Sequence, residues 1–533
     1  MADYQRLRTP FINLSFTPDV PSNALGTTEY NSGLNVEADV RGIKKVGGEE
    51  EILSAIPGNT VFMEGGFRTE AIWVYVAATR EGKWYMVTSS GITNITPGVG
   101  ANPNVALSGY SDNVNITASW VGGVLFINDN LRNPMYFLPT ATEIALTSDA
   151  QWNYTPSVNA TRAGFVRNFC SPNVGNILVA GNLTQDLTAG TTVNYPTTIR
   201  WSQAFANTGI PQTWVPTLTN VANEQEVPVR GPLIDGFVLG GNFYMCSYWD
   251  TVVMSPIAYQ NSTAPVFGVR LFNQGRGLIN NNCWSNTDSN VYGVDSRDIW
   301  VFNGSDFTPL GNQKVRDYFY GNLSTTYSDR VFMVNNTQKN QIEIYYPDLT
   351  STGWCNKMLS WRYDLQIWNA PKDIANACMG TEGPVFTSGA FKYASRTVVY
   401  AQGSTAASKI IQTNRTNGFR GAAIPTLFER TNLVLQTEKG PVPYSSKVYV
   451  HRVLPEIAGS GSVDITIGGA NSTQQNPTYG ESGTVSIDTD NPWVTTQQNA
   501  VRTISVKVES NDATDAWNMT ALNWQATIVE DAF

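Results

Sequence analysis

The chain has 533 residues, 41% hydrophobic and 11% aromatic, enough for a sizeable core and an argument against wholesale disorder. Only 14% are charged, and the net charge of −9 argues against a sequence-reading nucleic-acid binder, which needs a basic face to displace counterions from phosphates. The length points to two or three domains, or to one large closed β-array with additions.

In chain order, the first 50 residues carry Pro10, Pro18 and Pro21 and then Gly26-Thr27-Thr28. They read as an extended N-terminal arm ending in a short strand around 34–36. The opening MADYQRLRTPFINLSF has no long apolar core and no cleavage pattern, so no secretion signal is expected. Glu49-Glu50-Glu51 suits the positive end of a helix dipole, so 49–55 reads as one helical turn.

From about residue 60 the texture is repetitive. Ile72-Trp73-Val74-Tyr75-Val76 runs through Arg80-Glu81-Gly82 into Lys83-Trp84-Tyr85-Met86-Val87. The pattern returns at 124–128, 176–180, 243–254, 291–302, 342–346 and 359–368. Alternating strands bounded by Gly, Asn and Asp turns mean small antiparallel sheets. Their spacing of very roughly 45–60 residues is near the ~40–50 of a propeller blade, and about six units fit before residue 425. One helix is expected at 313–322, where Val315, Tyr318 and Phe319 share a face. Trp201 and Trp214 bracket a polar Gly/Pro loop and are expected to be buried clamps.

Past the Gly421–Pro425 stretch, residues 447–453, 463–467, 485–487 and 503–508 form longer alternating strands. Trp517 and Trp524 mark a final hairpin. The expected architecture is all-β: arm and entry strand at 1–50, a closed β-propeller at 51–425, and a C-terminal β-sandwich-like domain at 426–533.

Reactive groups are sparse. The single histidine, His451, leaves little room for Ser–His or Cys–His hydrolysis or for a His-rich metal site. The five cysteines are scattered without CxxC spacing and are expected to be free thiols, mostly buried. No phosphate-binding Gly-x-x-x-x-Gly-Lys-Ser/Thr loop is present, and Gly275-Arg276-Gly277 reads as a turn. Asp295-Ser296-Arg297-Asp298 reads as an Asx turn rather than a sialidase motif. The sequons at Asn94, Asn115 and Asn159 are expected to be unmodified. No stretch approaches the ~18 apolar residues of a membrane helix. No catalytic, cofactor-binding or metal-binding residue is expected, and the protein is expected not to be an enzyme.

Five stretches carry a family resemblance. TIRWSQAFANTGIPQTWVP (198–216), NVYGVDSRDIWVFNGSDFTPLGNQKVRDYF (290–319) and NQIEIYYPDLTSTGWCNKMLSWRYDLQIWN (340–369) resemble successive segments of the tail nozzle, or tail-tube hub, of short-tailed bacteriophages. LNVEADVRGIKKVGG (34–48) is similar to their entry segment, and VRTISVKVES…WNMTALNW (501–524) to their closing strands. The resemblance covers about a third of the chain, and the order of its parts carries more weight than any one part. It implies a structural virion protein, assembled in the host cytoplasm as a homohexameric ring below the portal and the adaptor (head-to-tail connector). Such a ring continues the DNA channel, helps retain and then eject the genome, and passes double-stranded DNA without sequence-specific contacts. Its inner wall is expected to be neutral to acidic. Fibres or spikes attach to larger family members, and the modest length here leaves that attachment open. The alternative is a receptor-binding propeller that recognises host-surface glycans.

Overall fold

Alternating apolar and polar residues pair across tight turns, and the result in this computed structural model is a succession of four-stranded antiparallel sheets. The structure describes residues 5–98, 109–111, 114–153, 158–172, 174–257, 266–403, 406–437, 440–472, 475–487, 493–495 and 500–530.

Five sheets run strictly in chain order. The first comprises Thr60–Thr69, Ile72–Thr79, Trp84–Thr88 and Gly91–Asn94. The others begin at Thr117–Val121, Val158–Ser171, Leu233–Leu239 and Trp284–Asn286. A larger, seven-stranded sheet follows, and its continuity hides a division. Strand Ile367–Thr387 pairs through residues 367–377 with Cys355–Arg362 and through residues 377–387 with Ala390–Gln402. Its first half is thus the outer strand of a sixth blade, and its second half is the inner strand of a seventh. No turn separates them.

The seventh blade is completed from the other end of the chain. Glu49–Pro57 pairs with Ala407–Thr413, Ile410 opposite Ile52 and Thr413 opposite Glu49. A strand from before the first blade therefore closes the last one, which leaves the ring without a free seam. The body is an all-β propeller of seven blades, where the sequence pattern suggested about six.

The expected helical turn at 49–55 is therefore a strand. Ile52 and Ile56 are both buried, a spacing of four that mimics a helix face. The cause is a bulge: Leu53 has φ +60°, and residues 53–55 lie opposite the single residue 409 of the partner strand. The helix expected at 313–322 forms over Arg316–Asn322. The Asp19 carboxylate accepts the N–H groups of Asp317 (2.7 Å) and Tyr318 (2.8 Å) at its start.

Two further sheets face each other as a sandwich. One runs Val494–Thr495, Ser446–Ser460, Ala516–Glu530, Gly42–Lys45, Val36–Asp39, with Gln5–Pro10 also on Ala516–Glu530. The other runs Thr478–Ser486, Ser462–Ala470, Thr503–Asp512, Ile424–Leu433, Ser32–Leu34. The N-terminal segment is thus woven into the C-terminal sheets rather than lying free. Trp517 and Trp524 do not form a hairpin; both lie on the single strand Ala516–Glu530, which bridges the sheet.

The sandwich packs along the first half of strand Ile367–Thr387. Asn35 Nδ2 donates to Asp373 (2.8 Å), and the Ala38 N–H donates to Asn369 Oδ1 (2.9 Å). Glu37 is buried here with Lys339 Nζ 2.8 Å away; burial alone would raise its carboxyl, but Lys339 and Lys44 hold it down to about 2.

Trp201 and Trp214 are both buried, as clamps must be. Trp201 donates to the Val221 carbonyl (2.6 Å) and packs edge-on against Phe267 of the fourth blade at 5.9 Å. Trp214 meets Trp152 edge-to-face at 4.7 Å. Trp201→Ala is expected to cost about 3–5 kcal/mol in urea unfolding, the usual range for a buried aromatic. An unchanged midpoint with lost partner binding would make it an interface anchor instead.

Candidate functional site

The first strand of every blade lines the axis, and residues from all seven surround one cavity of about 530 Å³. Glu64 comes from the first blade, Ser119 and Trp120 from the second, and Arg167 and Asn168 from the third. Phe237 comes from the fourth, Ser285 and Asn286 from the fifth, Asn335 from the sixth, and Thr381 and Glu382 from the seventh. The volume lies within the ~300–1,000 Å³ typical of small-molecule sites.

The floor is a polar pin. The Arg167 guanidinium grips the Asp235 carboxylate through Nε (2.8 Å) and Nη2 (2.6 Å). The same guanidinium donates to Asn282 Oδ1 (2.7 Å) and to the Ala118 carbonyl (2.7 Å). Asp235 also accepts from Trp284 Nε1 (2.9 Å) and from the Asn282 N–H (3.1 Å). Asn282 Nδ2 reaches the Ile116 carbonyl (2.9 Å). Four consecutive blades and the Asn282 segment are thus tied at one point, with the Arg167 guanidinium 5.3 Å from the Trp284 ring.

Beyond the pin lies a second cavity of only about 40 Å³; Asn282 and Met379 line both and stand between them. The axis of one propeller is therefore a cup rather than an open tunnel.

Two small residues shape the wall. A Cβ on Gly66 would lie 2.5 Å from the Trp120 indole, so glycine there lets the ring lie against the first blade's inner strand. Gly236 similarly admits the ring of Phe243, 2.6 Å from where its Cβ would be.

Glu64 is the electrostatic anomaly. Enclosure by the surrounding blades pushes its carboxyl up to about 7, while Arg167, the Gly65 N–H and Thr381 pull it down. The side chain borders the cavity and keeps part of its surface, so water there moderates the shift without reversing it. A carboxyl raised in the folded state stabilises the fold only while protonated. Stability should therefore fall as pH rises from 4.5, its ordinary value, through about 7. Glu64→Gln is expected to be more stable than the parent above that window by about 1–3 kcal/mol, and to lose the advantage below it. Urea midpoints across the range test this; parallel pH profiles for the two proteins would refute it.

The residues singled out in the sequence lie elsewhere. His451 Nε2 is 2.8 Å from Thr527 Oγ1 and its ring meets Tyr449 edge-on, on a sandwich strand. Asp295 Oδ1 accepts the N–H groups of Arg297 (2.6 Å) and Asp298 (2.8 Å), an Asx turn. The Gly275–Gly277 stretch is a connection whose Gly275 has φ +115°. Cys246, Cys283, Cys355 and Cys378 are buried and Cys170 is exposed, all five as free thiols. Among the described residues no group of three or more His, Cys, Asp or Glu is placed to hold a metal ion. No helix among them is long and apolar enough to cross a membrane.

None of the cavity residues stands out in the sequence. Each blade contributes only a few ordinary residues from its own inner strand, and only closure of the ring brings them together.

No family model matches the chain, and no curated protein matches it. Among solved structures, the computationally designed Ika8 protein is similar over 68% of this chain and 99% of its own, at 9% identity and TM-score 0.36. BBS1N, solved in complex with ARL6DN, is similar over 70% of this chain and 97% of its own, at 9% identity and TM-score 0.34. Likenesses this loose add nothing to the fold read from the chain's own sheets.

Proposed function

We propose that the protein is a structural virion component, the tail nozzle or hub of a short-tailed bacteriophage. In this reading six copies form a ring below the adaptor that carries the genome channel. The observation that supports it is the ordered run of five stretches resembling that family, from 34–48 to 501–524. They fall on load-carrying parts of the fold: sandwich strands at both ends, the Trp201–Trp214 clamp, the fifth blade with its helix, and the sixth blade.

Two features of the fold agree with assembly. The cup at the axis is stopped by Arg167 and Asp235, so a duplex cannot thread a single propeller, and a DNA channel requires several chains around a common axis. Large apolar side chains also remain exposed on separate loops, among them Leu218, Leu349 and Trp249. Such positions suit contacts with neighbouring subunits and with the adaptor. The small charged fraction and net charge of −9 favour a lumen wall past which DNA slides without adhering.

The test is electron microscopy of the purified chain, alone and mixed with the adaptor encoded beside it. Sixfold rings with a neutral-to-acidic lumen are expected. A chain that stays monomeric with the adaptor present, or a ring whose channel carries a continuous Lys/Arg band, would overturn the reading.

A further inference from the structure

The cup at the propeller axis has a recognition chemistry that ring assembly does not use. We propose that it binds a neutral, hydroxyl-rich ligand, one or two sugar rings in size. The site belongs to a single chain, so this inference stands or falls separately from the nozzle reading.

The walls decide the class of ligand. Of the charged side chains at the wall, Arg167 and Glu382 are already engaged and Glu64 alone has no ion-pair partner among the described residues. Arg167 is held by Asp235 at 2.6 and 2.8 Å, and Glu382 accepts the Thr337 N–H and Oγ1–H, each at 2.6 Å. An anionic ligand would thus find no unspent cation. A cationic one would have Glu64 alone to meet, a carboxyl that enclosure holds partly protonated at neutral pH.

What remains open to the cavity is a mixture of neutral donors and acceptors with aromatic surface. Ser119, Ser285 and Thr381 bring hydroxyls, and Asn168, Asn286 and Asn335 bring amides. Ligand hydroxyls, which both donate and accept, match such a mixture. Trp120 and Trp284 add indole surface on which the C–H face of a sugar ring can lie. Amides and hydroxyls for the edges of a ring, with indoles for its face, form a saccharide site.

The experiment is saturation-transfer NMR on the full chain at millimolar ligand. The probes are glucose, galactose, mannose and N-acetylglucosamine, with spermidine and citrate as charged controls. Transfer to at least one sugar and to neither control is expected. Ser285→Trp, which fills the cup, should abolish it. Asn286→Ala, an exposed position with little structural cost, should weaken it about three- to tenfold, the worth of one hydrogen bond. If Ser285→Trp does not fold, Asn286→Ala decides. A folded chain that transfers to no sugar overturns the proposal. So does transfer that survives in the folded variants unchanged, or binding of spermidine or citrate in place of the sugars.

Discussion

Ile56→Asp is expected to open the propeller. Ile56 is fully buried on Glu49–Pro57, the strand that completes the seventh blade by pairing with Ala407–Thr413. A carboxylate at that position loses the apolar contacts and buries an unpaired charge, a combination that costs about 4 kcal/mol or more. The damage should be located as well as large. Amide exchange should rise first in the first and seventh blades, which share the core cluster containing Ile56, Val76, Tyr400 and Ile411. Glu51→Ala on the same strand is the control: its partly exposed pair with Lys409 (2.6 Å) should be worth less than about 1 kcal/mol. A parental urea midpoint for Ile56→Asp would show that the strand is a trailing edge rather than the closure.

Arg167→Met should be nearly as costly and should act at the opposite place, on the axis. It strips the guanidinium from Asp235, whose side chain is fully buried, and releases Asn282 and the Ala118 carbonyl as well. Removing one partner of a buried ion pair typically costs about 3–5 kcal/mol, because the remaining charge has nowhere to go. The double variant Arg167→Met/Asp235→Leu should recover part of that loss, since it removes the stranded charge but leaves Trp284 Nε1 and the Asn282 N–H without their acceptor. Chemical denaturation of the two single variants and the double closes a cycle that reads the coupling directly. Additive single effects would mean that the pin is decoration on a ring held by blade packing alone.

The hairpins were legible because their signal is local. Residues 124–128 form the strand Val124–Asn128, and 342–346 fall within Gln341–Tyr346. Aromatic and β-branched alternation between Gly and Asn turns carries that information within ten residues. The seventh blade escaped because strand Ile367–Thr387 changes role without a turn to mark it, and because its closing strand lies over 300 residues away. Glu49–Pro57 was misread for a definite reason. Its bulge at Leu53 breaks the alternation that would have identified it, and three leading acids resemble a helix start. The sandwich at the C-terminus was readable from its own long strands; of the strands supplied by the first 50 residues only the short one around 34–36 was, and its place in the sandwich was not, since nothing in it names its partners. The cup at the axis is the extreme case. Its lining is distributed over seven segments, so no window of sequence contains the site.

The pairing of the first strand with the last also sets a timetable for biosynthesis. Gln5 lies opposite Ala526, so this segment finds its neighbour only after the roughly 500 residues between them have been made. At ~5–20 residues per second that interval is on the order of half a minute to two minutes. Throughout it, Gln5–Pro10 is an unpaired strand in a crowded compartment. Its composition is suited to waiting: Arg6, Arg8 and Pro10 are the residue types that discourage edge-to-edge association, and Leu7 is the one side chain in it that ends up in the hydrophobic core. The same holds for Glu49–Pro57, whose three acids precede Ile52 and which waits for residues beyond 400. Closure of the ring therefore cannot precede synthesis of residues 407–413, nor pairing of Gln5–Pro10 that of residues 521–526, and both waiting strands carry the gatekeepers that such a delay demands.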